Sequence, residues 1–335
     1  MNPRIIDIAR EAEVSQAAVS MALNNKSGVS EEVRQKIIRI AKQKGYKNYN
    51  QNNRTSIMLI KIGHHGHIIN KWHDAFISGY LEGIETGAKN NNIKSEVSFF
   101  NLEPIEKIIA SVREASANGF IVLGTELSAQ ELNCFTQLSK PVVFIDTYFP
   151  LSACDCIDMD NIDCVFKAIQ YLYTNGHRRI GLIKGSYGGR NFRLREFGFR
   201  EAMEYFSLPV DEELIISLDP AYEQTVIDMK KFLKAKKPLP TAFFCMNDIL
   251  AYGCMKALRL FNYNIPGDIS IIGFDDLPSS SFSDPPLTTI QLPLHQIGQR
   301  ALEKLLSRIN SAEKSALEYI LISGELIVRD SVRKI

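Results

Sequence analysis

The chain has 335 residues, too many for one small domain and enough for two or three with separate cores. Its 45% hydrophobic and 23% charged residues are those of an ordinary globular protein and exclude wholesale disorder. Lys and Arg number 39 against 38 Asp and Glu, so the chain as a whole carries no polyanion-binding charge. That charge is unevenly spread: residues 1–54 hold ten Lys/Arg and five Asp/Glu, which leaves 29 and 33 for the rest. The N-terminal segment is the part suited to a polyanion. No apolar run approaches the roughly 20 residues of a membrane span. Met1-Asn2-Pro3-Arg4 opens no signal-peptide core. The expectation is a cytoplasmic protein with no membrane partner and six reduced Cys. Cys154 and Cys156 flank Asp155 without the second pair that a zinc site uses, so they read as thiols and not as metal ligands.

Residues 4–12 place Ile5, Ile8, Ala9 and Ala12 on one helical face and turn Asp7, Arg10 and Glu11 away. A turn follows at Glu13-Val14, and Ser15 is placed to cap a second short helix whose apolar stripe holds Val19 and Leu23. A third helix opens at Ser30, where Ser-Glu-Glu-Val supplies a cap and then acidic residues favoured by the helix dipole. Val33, Ile37, Ile40 and Ala41 form its buried stripe, and Gly45 stops it. Three short helices with a tight first turn follow the helix-turn-helix plan of a DNA-binding unit.

The order Asp-Ile-Ala-Arg, Val-Ser-Gln-Ala-Ala-Val-Ser, Leu-Asn-Asn, Val-Ser-Glu-Glu-Val-Arg and Lys-Gly-Tyr closely resembles the headpiece of the LacI/GalR family of bacterial transcription regulators. The resemblance makes residues 1–46 the DNA-binding domain and residues 15–24 the recognition helix, with Gln16, Ala17 and Met21 aimed at base edges. Gln16 suits a bidentate contact to adenine, and Ala17 and Ala18 suit a thymine methyl. Ser15, Ser20 and Asn24 complete the expected contacts of this helix. Met21 stands where the family usually carries Arg, which removes a base or phosphate contact worth roughly 1–3 kcal/mol. The recognition helix bears no charge, so phosphate clamping is expected from Lys26, Arg34, Lys36 and Lys47. The alternative for any one of these cations is a solvated helix face.

Residues 47–56 are polar and Asn-rich and read as a linker. Here the chain departs from the family it resembles, which places a hinge helix with a minor-groove Leu at this point. Asn48 stands near the usual Pro position, the segment contains no Leu, and Tyr49 is the only bulky substitute. This departure weakens the case for minor-groove kinking by an inserted apolar side chain and leaves open whether the linker forms a hinge helix on DNA.

From Ile57 onward, short apolar runs alternate with amphipathic stretches. Strands are expected at 57–62, 95–100, 119–123, 141–145, 179–184, 213–217, 241–245 and 269–273. Helices are expected near 74–90, 104–117, 128–138, 160–175, 194–206, 222–235, 248–261 and 294–309. This alternation makes residues 57–335 an α/β unit of parallel sheets. Gly176-His177-Arg178-Arg179-Ile180-Gly181, Asn247-Asp248, the run from Ile265-Pro266 to Asp275-Asp276, and Leu287-Thr288-Thr289-Ile290 resemble the effector-binding core of the same family. The resemblance implies a periplasmic-binding-protein-like fold: two Rossmann-like subdomains, three crossovers, and a small effector in the cleft. The expected boundaries are 57–157 plus 290–315 for the N-subdomain and 158–286 plus 316–335 for the C-subdomain.

Ligands of open α/β sheets collect at the carboxyl ends of the strands. That rule selects Trp72, Asp74 and Phe76, then Thr125 and Asp146, then Arg190, Asn191 and Arg195, and finally Tyr222, Asn247 and Asp275. The family resemblance assigns Arg195, Asn247 and Asp275 to effector hydroxyls or polar edges, while aromatic walls cover an apolar face. The bland readings are that Asn247 caps the helix at 248, Asp275 caps a loop, and Trp72 and Tyr222 are packed. His64, His65, His67 and His73 cluster after the first strand, but adjacent His on an extended chain point apart, so lining of the cleft mouth or recognition of an anionic effector is expected and not metal binding. Gly185-Ser-Tyr-Gly-Gly-Arg lacks the Lys-Ser/Thr of a phosphate loop, and no nucleophile elbow is present, so neither an enzyme nor a cofactor is expected. The reading is a homodimeric, ligand-responsive repressor of a pseudo-palindromic operator. Its effector would be a sugar, a sugar phosphate or a nucleobase-like compound. The alternative is a small-molecule binding protein that has lost sequence-specific DNA binding.

Overall fold

The computed structural model describes residues 3–23, 28–46, 54–64, 71–187, 189–311 and 315–335, the side chains of residues 71–73 excepted. Three helices come first: α1 Ile5–Ala12, α2 Gln16–Leu23 and α3 Glu31–Gln43. Their stripes meet in one small core of Ile8, Ala9, Ala12, Val19, Ala22, Leu23, Ile37, Ile40 and Ala41. Glu13 takes the left-handed conformation that ends α1. Ser15 Oγ then accepts the Ala18 amide at 3.1 Å, and Ser30 Oγ accepts the Val33 amide at 3.4 Å. Both Ser caps stand where their sequence positions placed them.

The rest of the chain forms two parallel sheets. The first half runs β1 Ser56–Gly63, α4 Lys71–Asn90, β2 Lys94–Asn101, α5 Ile105–Glu114, β3 Gly119–Leu123, α6 Ala129–Phe135, β4 Val142–Ile145 and β5 Asp155–Met159. The second runs α7 Asn161–Thr174, β6 Ile180–Gly185, α8 Arg190–Tyr205, β7 Ile215–Leu218, α9 Tyr222–Lys234, β8 Ala242–Cys245, α10 Asp248–Leu260 and β9 Ser270–Ile272. The chain closes with β10 Thr289–Gln291, α11 Leu294–Asn310, β11 Tyr319–Ile322 and β12 Glu325–Ile327. The sheet orders are β11-β5-β4-β3-β1-β2 and β7-β6-β8-β9, with β10 and β12 paired antiparallel between them. The chain therefore passes from lobe to lobe after β5, along β10 and along β12. On the first lobe, α11 lies against α4 at backbone contact. A Cβ at Gly83 would meet the His295 carbonyl oxygen at 2.0 Å, so only glycine permits this crossing.

Three expectations need correction. Residues 316–335 were assigned whole to the second subdomain, but β11 pairs in parallel with β5, Tyr319 opposite Cys156, and extends the first sheet. The segment returns to the second lobe only later, where the Ile271 amide donates to the Ser331 carbonyl at 2.8 Å. The strand β5 itself was absent from the expected strands. All five of its residues are buried, yet two are Asp, so it has no apolar run to betray it. Arg308 compensates Asp155 through two hydrogen bonds of 2.6 and 2.8 Å. In addition, α8 begins at Arg190, a turn before the expected 194, which moves Arg190 and Asn191 from a loop onto a helix.

Candidate functional site

The carboxyl ends of both sheets face each other across a cavity of about 840 Å³. The first lobe contributes Phe76 from α4, Thr125 to Leu127 after β3, and Asp146 and Phe149 after β4. The second contributes Ser186 and Tyr187 after β6, Gly189 to Arg193 and Arg195 from the start of α8, Pro220 after β7, Asn247 after β8 and Asp275 after β9. Parallel strands hold these residues at one level, as open α/β sheets do for their ligands.

A chain of hydrogen bonds joins the two lobes. Asp146 accepts the Tyr80 hydroxyl at 3.1 Å and the Thr125 hydroxyl, both from its own lobe. From the other lobe, Asn191 Nδ2 donates to Asp146 Oδ1 at 2.9 Å and to its carbonyl at 3.2 Å. Asn191 Oδ1 accepts from Asn161 Nδ2 at 3.2 Å, and Asn161 Oδ1 accepts from Arg195 Nε at 2.9 Å. Arg195 Nη1 donates to the Met246 carbonyl at 2.5 Å and faces Asp275 Oδ1 at 3.4 Å, while its guanidinium lies 3.6 Å from the Phe274 ring centroid. A second cross-cleft contact is cation–π: the Arg190 guanidinium lies 4.1 Å from the centroid of the Tyr148 ring. The backbones are close as well, since a Cβ at Gly189 would meet the Thr125 carbonyl oxygen at 2.7 Å.

Burial dominates the electrostatics. It pushes the Asp146 carboxyl up to about 6, although its hydrogen bonds and Arg195 pull the other way. Burial also raises Asp158 and Asp275 well above the usual carboxylate range. Asp275 holds φ at 112°, a left-handed conformation that favours glycine. Its amide is fixed by the Ile290 carbonyl at 2.8 Å, on the strand that crosses between lobes. Asp248 is a further buried carboxylate, raised to about 6 by burial. It accepts the Leu277 amide at 2.8 Å, the Ser280 hydroxyl at 2.6 Å and the Thr289 hydroxyl at 2.6 Å. One carboxylate thus ties the start of α10, the loop after Asp275 and the crossover strand together.

The structure gathers Phe76, Thr125, Asp146, Arg190, Asn191, Arg195, Asn247 and Asp275 around the cavity. Asn247 is also the N-cap of α10, its Oδ1 accepting the Leu250 amide at 2.9 Å. Asp74 and Tyr222 do not join the site. Asp74 pairs with Lys61 at 2.9 Å, and Tyr222 packs at the start of α9 against the core. Trp72 lies outside the described side chains, as do His65, His67 and His73. His64 pairs with Glu131 at 3.1 Å beside the first lobe's wall. Tyr80, Tyr148, Asn161 and Asp158 were not singled out from the sequence. Tyr80 lies in the middle of α4, Tyr148 in the loop after β4, Asp158 near the end of the unexpected strand β5, and Asn161 at the first position of α7.

In the headpiece, Ser15, Gln16 and Ala17 are exposed, Ala18, Ser20 and Met21 half-buried. Met21 reaches toward Gly28, its Sδ 3.1 Å from where a Cβ of that glycine would stand. Arg10, read only as pointing away from the core, shares a shallow groove with Gln16. Arg34 is not placed as a phosphate clamp. It is buried, and its Nη1 donates to the Ala22 carbonyl at 3.1 Å, satisfying the end of α2. Lys36 is exposed on the same helix, and Asn24, Lys26 and Lys47 lie outside the described residues.

Residues 4–48 match the family described as bacterial regulatory proteins, lacI family, and residues 169–332 match the periplasmic binding protein-like domain. The chain is 30% identical to the HTH-type transcriptional repressor CytR of Escherichia coli (strain K12), over 98% of its own length and 95% of that protein's. It is also 30% identical to the HTH-type transcriptional repressor PurR of Haemophilus influenzae (strain ATCC 51907), over 99% of each. Among solved structures, the transcriptional regulator CelR–cellobiose complex superposes with a TM-score of 0.73 at 23% identity, covering 98% of this chain and 100% of that one. The lac repressor dimer bound to operator and the anti-inducer ONPF gives 0.73 at 22%, covering 99% and 100%. A LacI family regulator from Enterococcus faecium with bound ribose gives 0.69 at 23%, covering 84% and 99%. With a lacI headpiece, a two-lobed core and 30% identity to two repressors along nearly its whole length, the chain belongs to the LacI family of bacterial regulatory proteins.

Proposed function

We propose that this chain is a cytoplasmic, homodimeric repressor that binds a pseudo-palindromic operator and changes its DNA affinity when a sugar or sugar derivative enters the cleft. It performs no catalysis in this reading. The carrying observation is that the cavity walls belong to different lobes and already touch through Asn191 and Asp146. A ligand seated between them changes the lobe angle only to the extent that it binds one angle better than another. The coupling that results is typically 1–3 kcal/mol. Gln16 and Ala17 stand exposed at the start of α2, where the second helix of this motif meets base edges. The cellobiose and ribose complexes among the structural relatives support a saccharide effector. The exposed edge strand β2 supports a dimer: Val97 is 55% and Phe99 49% exposed, with Leu102 beyond them at 70%.

The test is selection of bound duplexes from a random pool by the full-length protein at about 150 mM salt, where screening removes weak phosphate binding. A palindrome with A/T-leaning half-sites is the expected outcome. Recovery of random duplex alone would favour the other reading, a small-molecule binding protein without sequence-specific DNA binding.

A further inference from the structure

Cys154 stands just before β5 and Cys156 lies in it, two residues on, so extended backbone turns both side chains to one face. Their sulfurs are 3.6 Å apart, and both are free thiols. Asp155 between them turns the other way, to Arg308. Tyr319 stands opposite Cys156 in the sheet, and its hydroxyl donates to the Ser152 carbonyl at 2.5 Å, which ties down the loop leading into the pair. The Tyr319 ring lies 6.3 Å from that of Tyr148, and Tyr148 carries Arg190 of the other lobe 4.1 Å from its centroid. A path of direct contacts thus runs from the two thiols to the junction between the lobes.

We propose that Cys154 and Cys156 form a reversible oxidation site, with hydrogen peroxide as the oxidant, and that their disulfide loosens the contact between the lobes. In the first step the Cys154 sulfur attacks one peroxide oxygen and the O–O bond breaks. The departing hydroxide takes the thiol proton and leaves as water, and Cys154 becomes a sulfenic acid. The Cys156 sulfur then displaces that hydroxyl, which leaves as a second water with the Cys156 proton. The two sulfurs give up two electrons, and the peroxide is reduced to two waters. Burial sets the order: Cys154 is 4% exposed against 1% for Cys156, and it follows the exposed Ala153. The hydrogen bond with Cys154, and then burial, also hold the Cys156 thiol well above its usual range, so it reacts second and slowly. Two residues of extended strand set Cα atoms about 6.6 Å apart, close to the upper limit of about 6.8 Å for a disulfide. The sulfurs must approach by roughly 1.5 Å, which draws Cys154 toward Cys156 and pulls on Ser152, Tyr319 and Tyr148. Thiol pairs that oxidise in a reducing compartment are characteristically sensors or catalysts. Cys245 and Cys254 are also in contact but have no exposed surface, and they serve as an internal control.

The experiment needs neither DNA nor effector. The folded full-length protein is incubated with hydrogen peroxide, then unfolded, alkylated, digested and weighed peptide by peptide. The peptide holding Cys154 and Cys156 is expected to be two hydrogens lighter and unalkylated, while Cys134, Cys164, Cys245 and Cys254 take up the alkylating agent. In Cys156→Ser, dimedone is expected to trap Cys154 as its sulfenic acid. Amide exchange of the oxidised protein should quicken about fivefold or more across the first turns of α8, where Arg190 and Asn191 meet the first lobe, and dithiothreitol should restore it. Oxidation of Cys134 or of the second-lobe pair ahead of this one would overturn the site. So would resistance of Cys154 and Cys156 in the folded protein under conditions that oxidise the unfolded chain. A disulfide that leaves exchange in α8 unchanged would overturn its link to the lobes. The peptide masses of the unmodified protein decide the site even if the variant does not fold.

Discussion

Arg34→Ala separates two roles for a cation on α3. In the structure its guanidinium caps the end of α2 at the Ala22 carbonyl, 3.1 Å away, and lies 3.5 Å from Glu31. A buried hydrogen bond from a charged donor is worth about 1.5–3 kcal/mol, and truncation also leaves the carbonyl unsatisfied. At roughly 0.05–0.15 kcal/mol per residue, a headpiece of about 45 residues holds only about 2–7 kcal/mol of stability. The substitution therefore removes a large share of what keeps the three helices folded and leaves the two-lobed core untouched. Amide exchange should show residues 5–43 losing protection by one to two orders of magnitude, while the core sheets keep theirs. Affinity for the selected duplex and for random DNA should fall together. If protection is unchanged and the salt dependence of DNA binding simply loses about 0.9 in slope, Arg34 is a phosphate contact and the capping account is wrong.

Gln16→Ala should cost about 1–3 kcal/mol on the selected duplex and relax preference at one adenine position; an unchanged selected sequence would remove Gln16 from the readers. Asp248 carries a carboxyl raised to about 6 from an ordinary 3.8. The stabilising contribution of a raised group is complete below its unfolded value and is lost as pH rises through its folded one. The protein should therefore melt higher at pH 5.5 than at pH 7.5, with Asp146 acting in the same direction. Asp248→Asn, its amide turned toward Thr289, should flatten part of that slope, by about 1 kcal/mol between these two pH values. An identical slope in the variant would show that Asp248 does not titrate there.

Much of the fold was legible because buried parallel strands such as Gly119–Leu123 are continuous apolar runs, and the helices between them keep a 3.6-residue period. The failures have physical causes. In β5, Asp155 and Asp158 break the apolar run, and tertiary partners, Arg308, Lys304 and the Glu318 amide, make Asp155 tolerable inside. The strand β11 has alternating exposure and is defined by the free edge of β5, which its own sequence does not announce. The site was legible where the strand-end rule applies, as at Asp146, Asn247 and Asp275. It was not legible where a residue reaches the site through another, as Asn161 does through Asn191 and Tyr80 through Asp146. Asp74 was misplaced because α4 begins at Lys71, which puts Asp74 on a helical turn beside Lys61. Arg34 looked like one more surface cation of a polar helix; only packing against the end of α2 sets it apart.

The central claim is that the contact between the lobes governs DNA binding by a headpiece that shares no residue with it. The most direct measurement is the affinity of the full-length protein for its selected duplex before and after Asn191→Ala, which removes the cross-cleft bonds to Asp146. Coupling of 1–3 kcal/mol predicts a change of about 5- to 150-fold in Kd, with headpiece protection unaltered. An unchanged Kd in a variant whose core has kept its fold would contradict the claim.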